Sequence, residues 1–473
     1  LQRSRALRSV SSLYVEGLIA YFQQDFDLAL TRAEQAQKLA PWLYEAVKLG
    51  GDVLLERARA ERDRGEHDRA AQHFAESVAR YKQAAEIGRS DHSVHEALAE
   101  AYIRWEELDY FRGKNPEPYL QEALRAADKA LVAAPKASHG HTKKAFAYSF
   151  FADYLKQKNL IPAAIKAREQ QISESNLSTS LHSDDAYAHL VKGIALHRFS
   201  ELTNQNQQLL LKQSQNELAL SIKINHRFPW AYNDYAIALL AESKLQQQSN
   251  QSPIDTIQRA VALAEKALTI DPGYIYAMNT ITAASLRAST WLIEHGQDPS
   301  IWIQKGIQAA QQALKINQNY SFAYGNIGTI LMNKSFYEYL SDTQNLETQQ
   351  RAIEAFESMS KISGSSSEIQ TYIATIHHIK AMQGLRSNQD PTASVSAGIA
   401  SLSSCVGQKS TDPYCQEMMA RLLAVRAEWL RKQGLAADAV LQQAYQLSRQ
   451  ALTQMPEDEY DSMLASAQIA LQL

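Results

Sequence analysis

The feature that most constrains this chain is a comb of small residues at nearly constant steps. Gly17, Gly51, Ala99, Ala147, Gly193 and Ala236 are followed by Thr282, Gly328, Ala374, Ala420 and Ser466. The intervals are 34, 48, 48, 46 and 43, and then 46 five times. A second comb, Ser214, Ala260, Gly306, Ala352, Gly398 and Ala444, keeps a 46-residue step throughout. Self-similarity at a fixed period of this length marks a repeat architecture in which each unit buries its apolar face only by stacking on its neighbours. Short side chains are needed where antiparallel helices approach closely, because the ridge of one must enter the groove of the other.

Helix ends fall in the same register. Ser252-Pro253, Asp298-Pro299 and Asp390-Pro391 lie 46 and 92 residues apart. Ser and Asp are good N-caps, and Pro is tolerated at the first helical position because its missing N–H has no partner there anyway. Each therefore starts the second helix of a repeat. Ile257, Val261, Ala264 and Leu268, and then Ile303, Ile307, Ala310 and Leu314, carry the apolar spacing of helices. Ile270-Asp271-Pro272-Gly273 turns one repeat into the next.

Composition agrees. Gly 18 and Pro 12 in 473 residues are too few for a turn-rich β fold and favour long helices. A net charge of -3 argues against nucleic-acid binding, which needs a basic stripe. No apolar run reaches the length of a membrane span. The chain opens at Leu1 with no signal peptide, which suggests a piece of something longer. Cys405 and Cys415 have neither redox nor zinc spacing, and a reducing, cytoplasmic compartment is expected.

Residues 1–120 hold 13 Arg and one Asn, whereas 201–350 hold 3 Arg and 12 Asn. The polar run SESNLSTSLHSDD lies between. This divides the chain into an Arg/Ala-rich array (1–172), a hinge loop (173–185) and an Asn/Gln-rich array (186–473), unless the shift is only surface drift with one long loop. The run from Arg57 to Arg69 is dense in both signs and reads as a solvated helix end with intrahelical ion pairs.

No chemistry emerges from motifs. There is no phosphate-binding loop, kinase catalytic loop or nucleophile elbow. The His92/His95, His139/His141 and His377/His378 pairs read as solvated or capping histidines, not as a zinc site. No catalytic residue, cofactor or metal is expected.

Leu13, Gly17, Ala20, Ala29, Ala33, Ala36 and Pro41 resemble the 34-residue tetratricopeptide repeat, with a small residue in one helix, three on the next and a Pro at the exit. The longer units resemble the C-terminal repeat regions of large bacterial serine/threonine protein kinases of the myxobacterial type. The matching segments are Asp298-Pro299, Ala313-Leu314-Lys315-Ile316-Asn317 and Trp230-Ala231-Tyr232-Asn233. His226 and Gln318 stand where the exit Pro would be.

The resemblance implies an all-α solenoid, a right-handed superhelix of about 21 helices with a concave groove. It implies a non-catalytic protein–protein interaction module that binds a protein or peptide there and, in its finer part, the regulatory region of such a kinase. The groove-lining candidates are Trp230, Tyr276 and Phe322 at 46-residue steps, and Asn233, Asn279 and Asn326 beside them as an amide ladder for a bound backbone. The bland alternative is that the aromatics pack between repeats and the amides cap helices or meet solvent. A self-assembling structural solenoid is the competing function, through the apolar helix Met463–Leu473.

Overall fold

The computed structural model describes residues 2–203, 206–343, 345–403, 405–407 and 410–455; for 2–11, 406–407 and 410–411 it describes the backbone alone. Among these residues are twenty α-helices in ten hairpins. The first helices are α1 (Gln2–Phe22), α3 (Tyr44–Asp63), α5 (His92–Phe111), α7 (His139–Gln157), α9 (Ala186–Ser200), α11 (Pro229–Gln248), α13 (Ile275–Glu294), α15 (Ser321–Leu340), α17 (Ser367–Arg386) and α19 (Pro413–Lys432). The second helices are α2 (Phe26–Leu39), α4 (His67–Ile87), α6 (Glu117–Ala133), α8 (Ile161–Leu181), α10 (Gln207–Ile224), α12 (Ile254–Ile270), α14 (Ser300–Ile316), α16 (Leu346–Ser363), α18 (Thr392–Ser401) and α20 (Asp438–Leu452). The fold is an all-α solenoid of stacked helical hairpins. The expected helix Met463–Leu473 and the comb position Ser466 lie outside the described residues.

Both combs sit where helices meet. A Cβ on Gly51 would come within 2.8 Å of the Tyr81 ring, one on Gly193 within 2.5 Å of Leu218, and one on Gly328 within 2.8 Å of the Phe356 ring. The first comb therefore admits a bulky side chain from the second helix of the same repeat. The second comb admits the next repeat: a Cβ on Gly306 would meet Ile330 at 2.6 Å, and one on Gly398 would meet Leu422 at 2.9 Å. Hydroxyls at such positions also bond across the seam, as Ser214 Oγ donates to the Gly193 carbonyl at 2.7 Å.

A third comb appears only in the backbone. Asn250, Gly296, Asp342, Asn388 and Gly434, each 46 after the last, have positive φ and end the first helices. In each case the next residue's N–H bonds back five positions, as Gln297 N does to the Leu292 carbonyl at 2.8 Å. This is a Schellman ending, which needs a left-handed residue and so selects Gly, Asn or Asp.

The polar run 173–185 is not a hinge loop. Residues 173–181 continue α8, because their small hydroxyl residues form its buried face. Ser175 Oγ donates to the Gln171 carbonyl at 2.7 Å, and Ser178 Oγ lies 2.6 Å from Thr142 Oγ1 on α7. Two compact units are present instead: Leu1–Thr280 with Ile316–Gln318, and Ile281–Lys315 with Asn319–Leu473.

The second unit departs once from the repeat. Its helix α18 has 10 residues, where α4 and α8 have 21. After it, Val406–Gly407 pairs antiparallel with Ser410–Thr411, and a disulfide joins Cys405 to Cys415. The cysteines, whose spacing fits neither a redox nor a zinc motif, are thus partners, because the loop folds back onto the start of α19. The expectation of a reducing compartment, which rested on their spacing, loses its support. No helix among the described residues is long and apolar enough to cross a membrane.

Candidate functional site

In the first unit the first helices converge on one face, and their side chains fill it. Arg104 of α5 is 3% exposed. Its Nε donates to Glu100 Oε1 at 2.7 Å and its Nη1 to Glu107 Oε2 at 3.1 Å. Its guanidinium also lies 4.7 Å from the ring centre of Trp230 on α11, and Arg59 of α3 lies 5.1 Å from the same indole. Lys143 of α7 donates to Glu100 Oε2 at 2.7 Å and stands over the Tyr187 ring of α9. Arg62 pairs with Glu107, and Phe111 meets Tyr276 of α13 at 6.1 Å between ring centres.

Charges this deep are tolerated only when paired. Burial would raise the Glu100 pKa, but Arg104 and Lys143 hold it well below the carboxylate range. Asp234 on α11 keeps some solvent contact, yet the protein crowds it and pushes it up to about 7, against the pull of Arg198. Fully buried His197, with neither ring nitrogen bonded, is held down to about 3 by burial and then by Arg198.

These facts place the expected groove residues. Trp230 and Tyr276 are half-buried and engaged across the face by α3 and α5. Asn233 is buried, and its Oδ1 accepts from Thr280 Oγ1 of α13 at 2.8 Å. It joins consecutive first helices rather than presenting an amide to a partner. Asn279 and Asn326 are half-buried and already hold interactions. Phe322 is 52% exposed and packs beside Tyr320. Of the three amides expected to form the ladder, Asn233 is therefore taken up inside the array by Thr280.

The run 57–69 is only partly a solvated end. Arg64 and Arg69 pair with Glu66 at the surface, but Arg62 is buried against α5, and buried Glu61 accepts from His73 at 2.7 Å. The histidines also differ from expectation. His95 is buried with Nε2 on the Arg89 carbonyl, and burial, with Arg421 next, lowers His378 to about 4. Among the described residues no three His, Cys, Asp or Glu converge as a metal site would need.

Open space lies in both units: in the first, a cavity of about 1000 Å³ is lined by α4, α5 and α6. In the second, a cavity of about 600 Å³ is formed by α15, α17 and α19. Two rows of the 46-residue register line it: Met332, His378 and Ala424, and Phe336, Met382 and Glu428. The small Ala424 at the end of the first row leaves room. Met418, Ile379 and Val425 are buried behind it. The rim cations are committed: Arg386 donates to the Tyr339 carbonyl at 2.6 Å, Lys432 to the Leu385 carbonyl at 3.0 Å, and Arg421 to Glu417 at 3.2 Å. The sequence reading stopped at the opening turn of each first helix. Carrying the same register ten and fourteen residues beyond Phe322 reaches Met332 and Phe336.

The class this architecture defines is the all-α solenoid of helical hairpins. Solved structures similar to the chain include a thermophilic tetratricopeptide protein, TTC0263, of Thermus thermophilus, at 19% identity and a TM-score of 0.33, covering 49% of this chain and 99% of that one. A tetratricopeptide repeat protein of Parabacteroides merdae matches at 12% identity and 0.36, over 78% and 99%. Human IFIT1, solved as a dimer with m7Gppp-AAAA, matches at 10% identity and 0.44, over 94% and 93%. No protein-family profile matches the chain, and no curated protein matches it in sequence.

Proposed function

We propose that this chain is a non-catalytic interaction module that takes a segment of a partner protein on the face of α15, α17 and α19. The observation that carries this is the contrast between two stretches of the first-helix face. The aromatic and charged face of α3 to α13 is occupied by its own side chains, whereas that of α15, α17 and α19 leaves an open, Met-lined cavity. Methionines suit such a surface because their flexible, polarizable side chains adapt to varied shapes. The test is capture of partners from the source organism by the full chain and by Ala424→Trp, which fills the cavity. A discrete partner bound by the first and lost by the second supports the reading. A partner bound equally by both removes it.

The finer resemblance adds a place for the module, in cis to a serine/threonine kinase that it regulates. A kinase domain encoded in the same gene, with activity that changes when the partner binds, supports that addition. A gene without one removes it.

A further inference from the structure

We infer that the cavity of α15, α17 and α19 selects a peptide in which a large apolar side chain neighbours a Lys or Arg, with the cation received by Glu428. The inference rests on the interaction-module reading above and names its partner chemistry. Phe336, Met382 and Glu428 occupy one register row, so the carboxylate stands where the two preceding repeats put apolar groups.

Every other charge at the cavity has a partner. Arg421 is engaged by Glu417, whose other oxygen accepts from Ser448, and Arg386 stacks 3.9 Å over the Tyr339 ring while bonding the Tyr339 carbonyl. Lys432, one turn from Glu428, sends its ammonium to the Leu385 carbonyl instead. His378 is held neutral at physiological pH. Glu428 is half-buried and has no ion-pair or hydrogen-bond partner among the described residues. A half-buried unpaired carboxylate beside apolar walls is costly, and a bound cation relieves that cost while its apolar neighbour fills the space left by Ala424.

The experiment is selection of a displayed random 12-residue peptide library on the full chain, followed by affinity measurements on the enriched peptides. The expected outcome is enrichment of Leu, Met or Phe beside Lys or Arg, binding abolished by Ala424→Trp, and binding weakened about tenfold by Glu428→Gln. A charge swap completes it: Glu428→Arg should lose the Lys peptide and gain its Lys-to-Glu counterpart. If Ala424→Trp abolishes binding but Glu428→Gln does not weaken it, or if the enriched peptides are acidic, the cation claim falls and the site stands. If Ala424→Trp, folded by circular dichroism, leaves binding intact, or if nothing is enriched, both fall.

Discussion

At the scale of single residues, the small-residue combs make the sharpest prediction. Gly328 is a contact point, since a Cβ there would meet the Phe356 ring at 2.8 Å. Gly328→Ala should destabilise the second unit by about 1–3 kcal/mol through overpacking, read from urea melts. Combining it with Phe356→Leu should recover part of the loss. Two titrating groups give opposite pH signs. Asp234 has a folded pKa near 7 against 3.8 in the free residue, so its contribution is complete at low pH and is lost as pH rises through 4 to 7. Asp234→Asn should therefore lose less stability than the natural chain across that window. His197 has a folded value near 3, so its contribution is complete above about 6.5 and is lost as pH falls toward 3. His197→Leu should retain more stability than the natural chain below pH 5. The combs were legible in the sequence because steric need fixes residue size. The roles of Asn233 and Arg62 were not, because a buried amide or guanidinium is recognised only by a partner about 45 residues away.

At the scale of elements, helix starts and stops followed local rules closely. The Asp-Pro starts hold, with Asp298 and Asp390 each accepting from the N–H two residues on. The polar run in α8 misled because Ser and Thr look like loop residues until their hydroxyls find buried carbonyls. Gly434 has φ +72 with open space around it, so Gly434→Ala should cost about 1 kcal/mol of backbone strain with no clash. Asn388→Gly, at φ 55, should be nearly neutral. A thermal melt of the two variants separates them. The shortened α18 and its bridged loop were illegible, since nothing in a ten-residue cysteine separation announces a pair. Reducing Cys405–Cys415 should destabilise the second unit by about 3 kcal/mol on the chain-entropy account of a loop this short, measured by denaturation with and without reductant.

At the scale of the whole molecule, an array held by neighbour contacts has no single core to lose. Stability then approximates a sum of repeat and interface terms, and single-step melting is not expected of a chain this long. Urea unfolding should show more than one transition. Followed by hydrogen exchange, Gly51→Val should move protection in the first unit and Gly328→Ala in the second, each leaving the other in place. A single cooperative loss everywhere would contradict this.

The left-handed residues that close the last five first helices have one more consequence. Because Asn250, Gly296, Asp342, Asn388 and Gly434 mark identical strides, a whole stride can be excised or copied in the gene and every downstream backbone turn still falls on a residue able to make it. Such a stretch can lengthen or shorten by unequal recombination without relearning how to fold, while the irregular strides before Asn250 penalise the same event.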